Sequence, residues 1–309
     1  MTKKEFAAWT DQKIVYLDGA TGSNLYLAGM PRGVCTEQWI LEHEQVMMDL
    51  QKAYVEAGSM AVYAPTFGAN RASLASRGLE ENTEEWNKRL VDISRRAVGD
   101  KALVGGDLSP TGKILVSQGG TATVDEVFEI YREQVTFLVQ AGVDFIGAET
   151  MLSVEETMVA LDAAQSVCDL PVICTLTLEA DGNALYGGNA VEAAETLGAM
   201  GASAVGVNCS VGPDQLETII TNMKNAGTVP IIAKPNAGLP YIDDTGRAVY
   251  SMGPEAFAHH MKKLAEAGAS ILGGCCGTTP EYIRKMRLAL EGKLIFADQG
   301  GNRMPQKRV

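Results

Sequence analysis

Four stretches of this chain repeat one arrangement of apolar and polar positions: an amphipathic run with apolar residues three and four apart, a glycine, then a short apolar run. They cover residues 54–62, 138–146, 197–205 and 264–272, and their glycines are Gly58, Gly142, Gly201 and Gly268. A helix closed by a glycine that can take positive φ, followed at once by a buried strand, accounts for each copy. Further apolar runs at residues 14–17, 102–104, 172–176 and 230–233 lie before and between the copies, so the pattern predicts eight strands alternating with helices. In the helix after Thr123, Val124, Phe128, Tyr131, Val135 and Leu138 trace one face, and Thr123 with Glu126 supplies a capping box.

Strands that are apolar almost throughout belong in a parallel sheet covered on both faces. Eight such βα units in 309 residues predict an α/β fold closed into a (β/α)8 TIM barrel, a single domain over residues 1–291 with a C-terminal tail at 292–309. An open, doubly wound sheet is the rival. The turn after the first strand reads Asp18-Gly19-Ala20-Thr21-Gly22-Ser23 in place of a dinucleotide-binding G-x-G-x-x-G, which favours the barrel.

Charge and composition then narrow the partners. A formal net charge of -12 repels nucleic acid and anionic membrane surfaces, so a small-molecule substrate is expected. The first thirteen residues lack the apolar core of a signal peptide and no run is long enough to span a membrane, which points to a cytoplasmic protein. The six cysteines are too irregularly spaced for a disulfide framework, and with only three histidines a metal site must be built mainly from sulfur.

Barrel enzymes place their chemistry in the loops that follow the strands. The repeat puts Thr66, Glu149, Cys209 and the Cys275-Cys276 pair in four equivalent loops on that rim. Three thiolates suit a borderline-soft cation, zinc above all, and three protein ligands leave a fourth tetrahedral position open. The glycines around Cys275 and Cys276 let both sulfurs turn to one ion. A substrate thiol in the open position would be deprotonated and remain electron-rich, ready to attack a methyl group. Vicinal cysteines can also be packing residues or a redox pair; Cys35, Cys168 and Cys174 are read as ordinary thiols. Asp18 and Glu149, at the ends of apolar strands, are candidates to receive the ammonium of an amino-acid substrate, and the backbone N–H groups of Gly19 and Ala20 its carboxylate. Either acid could instead cap the next helix. Asp107 and Asn236 are rim residues with weaker claims, and Trp39 and Phe67 are candidate walls of a donor pocket.

The runs Leu17-Asp18-Gly19-Ala20, Thr66-Phe67-Gly68-Ala69-Asn70, Glu149-Thr150, Asn208-Cys209, Pro235-Asn236-Ala237-Gly238-Leu239-Pro240 and Gly273-Gly274-Cys275-Cys276-Gly277-Thr278-Thr279-Pro280 resemble the homocysteine-binding domain family, the homocysteine S-methyltransferases. The resemblance covers nearly the whole chain and leans toward the methionine synthase branch. It implies a zinc-bearing barrel that forms methionine, homocysteine as the fourth ligand beside Cys209, Cys275 and Cys276, and amino-acid recognition by Asp18 and Glu149. We count Asn208 with Asp18, Gly19, Ala20 and Glu149 as substrate-binding. The expected donor is a methylated corrinoid, on a separate protein, or a small methyl compound. Pro65 stands where that branch has Asn, and removes a backbone donor. The chain has no room for a folate barrel, and none of its histidines lies in a cobalamin-binding Asp-x-His-x-x-Gly. Two alternatives stay open: another thiol acceptor, or a non-catalytic zinc- and thiol-binding module that docks a corrinoid protein.

Overall fold

The computed structural model describes residues 1–243 and 248–294. Most of the expected tail, residues 295–309, lies outside the described residues. Eight parallel strands form one sheet: β1 (Val15–Tyr16), β2 (Ala61–Tyr63), β3 (Leu103–Leu108), β4 (Phe145–Met151), β5 (Val172–Leu176), β6 (Ala204–Asn208), β7 (Ile231–Lys234) and β8 (Ala269–Leu272). Hydrogen-bonded neighbours run β1-β8-β7-β6-β5-β4-β3-β2, with helices outside, so the expected α/β barrel is the observed architecture. Between β1 and β2 the ladder shrinks to one backbone bond, Met60 N–H to Tyr16 O at 2.7 Å. Side chains complete the seam: the Ser59 hydroxyl donates to Leu17 O, and Tyr63 N–H donates to Asp18 Oδ2 at 2.9 Å.

The glycines of the repeat follow the helices Glu44–Ala57, Val124–Gln140, Ala190–Ala199 and Pro254–Glu266. Their φ values are 116°, 81°, 91° and 117°, the left-handed conformation that ends a helix without a Cβ clash. The capping box of Thr123 and Glu126 is present. On that helix Val124 is exposed at the capped end, while Val127 and Gln134 join the buried face. Gln134 is drawn in by hydrogen bonding rather than hydrophobicity: its Nε2 donates to Thr66 O, anchoring the loop after β2.

Strand parity decides what fills the barrel. Val15 and Leu17, Ala61 and Tyr63, Phe145, Ile173, Ala204, Ile232 and Ile271 point inward and pack together, and Phe6 of the N-terminal helix Lys3–Asp11 closes the bottom. Above them the inward positions are glycines whose space neighbours take. A Cβ on Gly105 would meet the Phe145 ring at 2.4 Å, one on Gly147 the Tyr63 ring at 2.4 Å, and one on Gly273 would approach Lys234 Cγ at 3.0 Å. The next inward positions are polar: Asp107, Glu149, Thr175, Asn208 and Lys234. The barrel therefore changes from an apolar floor to a polar top, and its chemistry is confined to that end. Beyond β7 a small antiparallel hairpin, Pro240–Ile242 with Ala248–Tyr250, rises over the rim. No helix among the described residues is long and apolar enough to cross a membrane.

An added Cβ at Gly206 would lie 2.0 Å from the carbonyl oxygen of Ile232, a backbone atom that cannot rotate away. Gly206→Ala is expected to destabilise the barrel by about 1–3 kcal/mol in denaturant unfolding. Gly198→Ala, at a helical position where the nearest neighbours are 3.7 Å away or more, should be neutral or stabilising. Equal midpoints for the two variants would refute this account of the inner glycine layer.

Candidate active site

β6 ends in Asn208, and the next residue, Cys209, takes φ 47°; β4 carries the same feature at Thr150, φ 62°. These are the only non-glycine residues with positive φ among the described residues, and such conformations persist where surrounding bonds hold them. Here the two turns hold each other: Thr150 N–H donates to Asn208 Oδ1 at 2.8 Å, and Asn208 Nδ2 donates to Thr150 Oγ1 at 2.7 Å. Asn208 Nδ2 also lies 3.9 Å from Cys275 Sγ. Expected as a substrate-binding residue, Asn208 is fully buried and spends its amide on positioning Glu149-Thr150 against Cys209.

The loop after β8 is fastened on two sides. Toward β7, Cys275 N–H donates to Pro235 O and Ala237 N–H to Cys276 O, while Cys209 N–H donates to Lys234 O. Toward β1, Gly274 N–H donates to Asp18 O, Gly277 N–H to Ser23 Oγ, and Ala20 N–H to Thr278 Oγ1 at 3.1 Å. Ala20 N–H, an expected carboxylate donor, is thus already engaged, which leaves Gly19 N–H. A Cβ on Gly19 would sit 2.6 Å from Thr278 Oγ1 and 2.7 Å from the Tyr54 hydroxyl, so only glycine fits.

This scaffold brings the three sulfurs within 4.8 Å of one another, with Cys209 and Cys276 Sγ at 3.5 Å. Thiolates about 2.3 Å from a tetrahedral zinc ion are separated by roughly 3.8 Å, so the spacing and the all-sulfur donor set both fit that ion. Thiol hydrogen bonds from Cys209 and then Cys275 hold Cys276 down to about 3, while hydrogen bonding with Cys209 and then Cys276, together with burial, pushes Cys275 up. Tyr250, from the hairpin, adds a hydrogen bond to Cys276, and its ring occupies the space over Gly277.

Below the sulfurs lies a charge cluster. Lys234, 2% exposed, puts Nζ 2.6 Å from Glu149 Oε1, 3.4 Å from Asp18 Oδ1 and 4.0 Å from the centroid of the Tyr63 ring. Burial opposes its charge, but Glu149 and then Asp18 more than offset that and hold its pKa above the ordinary lysine range. Burial raises Asp18 to about 6 against the pull of Lys234 and of the Tyr63 N–H. Asp107 is raised too, by burial and then by the charge of Glu149.

The expected residues Asp18, Gly19, Ala20, Glu149, Asn208, Cys209, Cys275 and Cys276 do meet at one end of the barrel. Lys234 and Tyr250 were missed. The signal for Lys234 was available: in Ile231-Ile232-Ala233-Lys234 the lysine shares inward parity with Ile232. Trp39 does not reach the site; it stacks on His43 at 4.1 Å within a satellite core around Ile40 and Leu90. Phe67 is exposed on the rim, where a groove of about 760 Å³ opens past Cys35, Glu37, Arg71 and Lys113.

Comparison with known proteins adds an independent line. The sequence pattern of the family described as homocysteine S-methyltransferase matches residues 15–290. Over 297 residues, 90% of this chain, it is 28% identical to methionine synthase of Mycobacterium tuberculosis, and likewise 28% identical to that of Mycobacterium leprae. The chain spans about a quarter of the length of these relatives, 25% and 24%. Among solved structures, the metallated homocysteine methyltransferase MmuM of Escherichia coli superposes with a TM-score of 0.75 at 21% identity, covering 93% of this chain and 99% of that one. A methyltransferase from Methanosarcina mazei gives 0.61 at 14% identity, covering 94% and 99%. With the barrel, the thiol triad and a family match over residues 15–290 in agreement, the chain belongs to the homocysteine S-methyltransferase family.

Proposed function

We propose that this protein transfers a methyl group to the thiol of homocysteine, forming methionine, with zinc held by Cys209, Cys275 and Cys276. The observation that carries this reading is the convergence of the three sulfurs within 4.8 Å directly above a buried carboxylate cluster. Zinc bound there would lower the pKa of an acceptor thiol in its open position and leave the sulfur nucleophilic. The thiol proton goes to solvent, the sulfur lone pair forms the bond to the methyl carbon, and the bond between that carbon and the donor breaks as the donor keeps the electron pair.

The protein's own residues orient the acceptor. Glu149 offers its second oxygen to the ammonium, Oε1 being taken by Lys234. Asp18, whose two oxygens are engaged by Tyr63 N–H and Lys234, acts on the ammonium through its charge, and Gly19 N–H meets the acceptor carboxylate. The loops after β1, β2 and β7 expose Leu27, Phe67, Leu239, Tyr241 and Ile242 on the same rim, apolar surface of the kind a methylated corrinoid protein would cover in delivering its methyl group. A second reading, a thiol acceptor without an ammonium, draws on Lys234, which already brings a cation to the two acids.

The deciding assay is methionine formation from homocysteine by zinc-loaded protein, given methylcobalamin, betaine, S-methylmethionine and S-adenosylmethionine in turn. Turnover with one of them supports the reading and names the donor; turnover only with another thiol overturns it. Replacing any of Cys209, Cys275 or Cys276 by Ala is expected to abolish bound zinc and turnover together, and full activity in a zinc-free variant would exclude the mechanism. Glu149→Gln should retain zinc and raise the homocysteine KM by roughly ten- to hundredfold, the worth of one hydrogen bond to a charged group.

A further inference from the structure

Among the described residues, two buried polar atoms on the barrel strands themselves have no partner, Asp107 Oδ1 and Thr175 Oγ1; a third at this end, Asn236 Oδ1, belongs to the loop after β7. A buried carboxylate oxygen or hydroxyl left in that state costs about 1–3 kcal/mol or more, so such a group in a native fold points to something that satisfies it. The two strand residues lie on the inner face. Gly105, two residues before Asp107, faces the inward Phe145 ring, and Thr175 shares parity with Ile173 of the barrel floor. Asp107 is paired with Gly147 across β3 and β4, and Glu149 stands two residues further along the same face. On the other side of β4, Ala148 is paired with Cys174, one residue before Thr175. Asp107, Glu149 and Thr175 therefore come from three adjacent strands and flank one spot.

The charges around that spot are unbalanced. Asp18 and Glu149 share the ammonium of Lys234 in direct contact, whereas Asp107 feels that ammonium only at a distance, stands in the field of both acids and has no ion pair of its own among the described residues. Its backbone is fixed by Thr66, whose Oγ1 accepts from Asp107 N–H at 3.0 Å and donates to Asp107 O at 2.9 Å, so the strand end is held while Oδ1 stays unpaired among the described residues. An ammonium has three N–H donors, and three acceptors on neighbouring strands suit it better than the Asp18–Glu149 pair, whose gap Lys234 occupies.

We infer that Asp107, with Glu149 and Thr175, forms the seat for the acceptor's ammonium group, and that Lys234 with Asp18 forms the opposite wall. This rests on homocysteine being the acceptor, and deepens that reading by adding two specificity-determining residues. The seat rejects thiols that lack the ammonium, because Asp107 and Thr175 would then stay unpaired.

The test compares homocysteine with 4-mercaptobutanoate, which keeps the thiol and the carboxylate and lacks the ammonium. Both are titrated calorimetrically into zinc-loaded protein, with zinc content and a cooperative melt as checks on folding. The wild type is expected to prefer homocysteine by roughly ten- to hundredfold, the worth of a hydrogen bond to a charged group. Asp107→Asn should bring that ratio close to one by weakening homocysteine alone, leaving affinity for 4-mercaptobutanoate within about twofold. Thr175→Val, of nearly unchanged volume, should lower the ratio by about threefold or more, and stands in if Asp107→Asn fails to fold. A wild type that prefers homocysteine, with variants that keep the full preference, overturns the seat and leaves the proposed function intact. No preference in the wild type overturns both, and makes Lys234 the resident cation of a site for thiols without an ammonium.

Discussion

The ammonium of Lys234 lies inside the barrel, 2.6 Å from Glu149 Oε1 and 3.4 Å from Asp18 Oδ1, and the top of the molecule is arranged around the need to satisfy it. Removing a lysine from water is costly, and breaking such a pair by deleting one partner commonly costs about 3–5 kcal/mol. The arrangement distributes that demand over several strands. Asp18 answers Lys234 with one oxygen and with the other accepts the Tyr63 N–H across the seam where β1 and β2 share a single backbone bond. Glu149 answers from β4, and the Tyr63 ring lies against the ammonium from β2. A charge pair that contributes little net stability thereby sets the register of the barrel's last seam.

The thiol triad depends on the same end of the barrel through backbone bonds. Lys234 O accepts from Cys209 N–H, Pro235 O from Cys275 N–H, and Cys276 O accepts from Ala237 N–H, so the strand that carries the buried lysine and the loop after it together fasten all three cysteines. Two strained turns, at Thr150 and Cys209, each carry a cost of about 1–3 kcal/mol, offset by the reciprocal amide–hydroxyl bonds between Asn208 and Thr150. Strain, sulfur and charge are concentrated where the apolar floor of Val15, Phe145, Ile232 and Ile271 ends. The rigid lower half is what permits an unbalanced upper half.

Much of this was legible in the chain. The glycine-ended helix followed by a buried strand is a local pattern, since a left-handed cap and an apolar run need only nearby residues, and it placed the eight strands and the rim. Boundaries shifted only slightly: the run at 102–104 extends to Leu108 as a strand, because Gly105 and Gly106 give up side chains to Phe145 and Leu138. The gathering of Cys209, Cys275 and Cys276 was likewise readable, because the repeat puts them in equivalent loops at one end of the barrel.

What the chain alone left undecided were the relations among loops far apart in sequence. That Asn208 would be spent on Thr150, Ala20 N–H on Thr278, and Asp18 on the β1–β2 seam follows from which groups face each other once the barrel closes, over separations of 58, 258 and 45 residues. Lys234 shows the same division. Its inward parity was present in Ile231-Ile232-Ala233-Lys234, but its partners, Asp18 just past β1 and Glu149 in β4, stand 216 and 85 residues away. Local sequence determined the strands, the glycine caps and the rim positions of the three cysteines, because those depend on backbone sterics and side-chain chemistry within a few residues. Only closure of the barrel decided which buried charges pair and which, like Asp107, are left facing the site, since that balance is set by groups that meet in space alone.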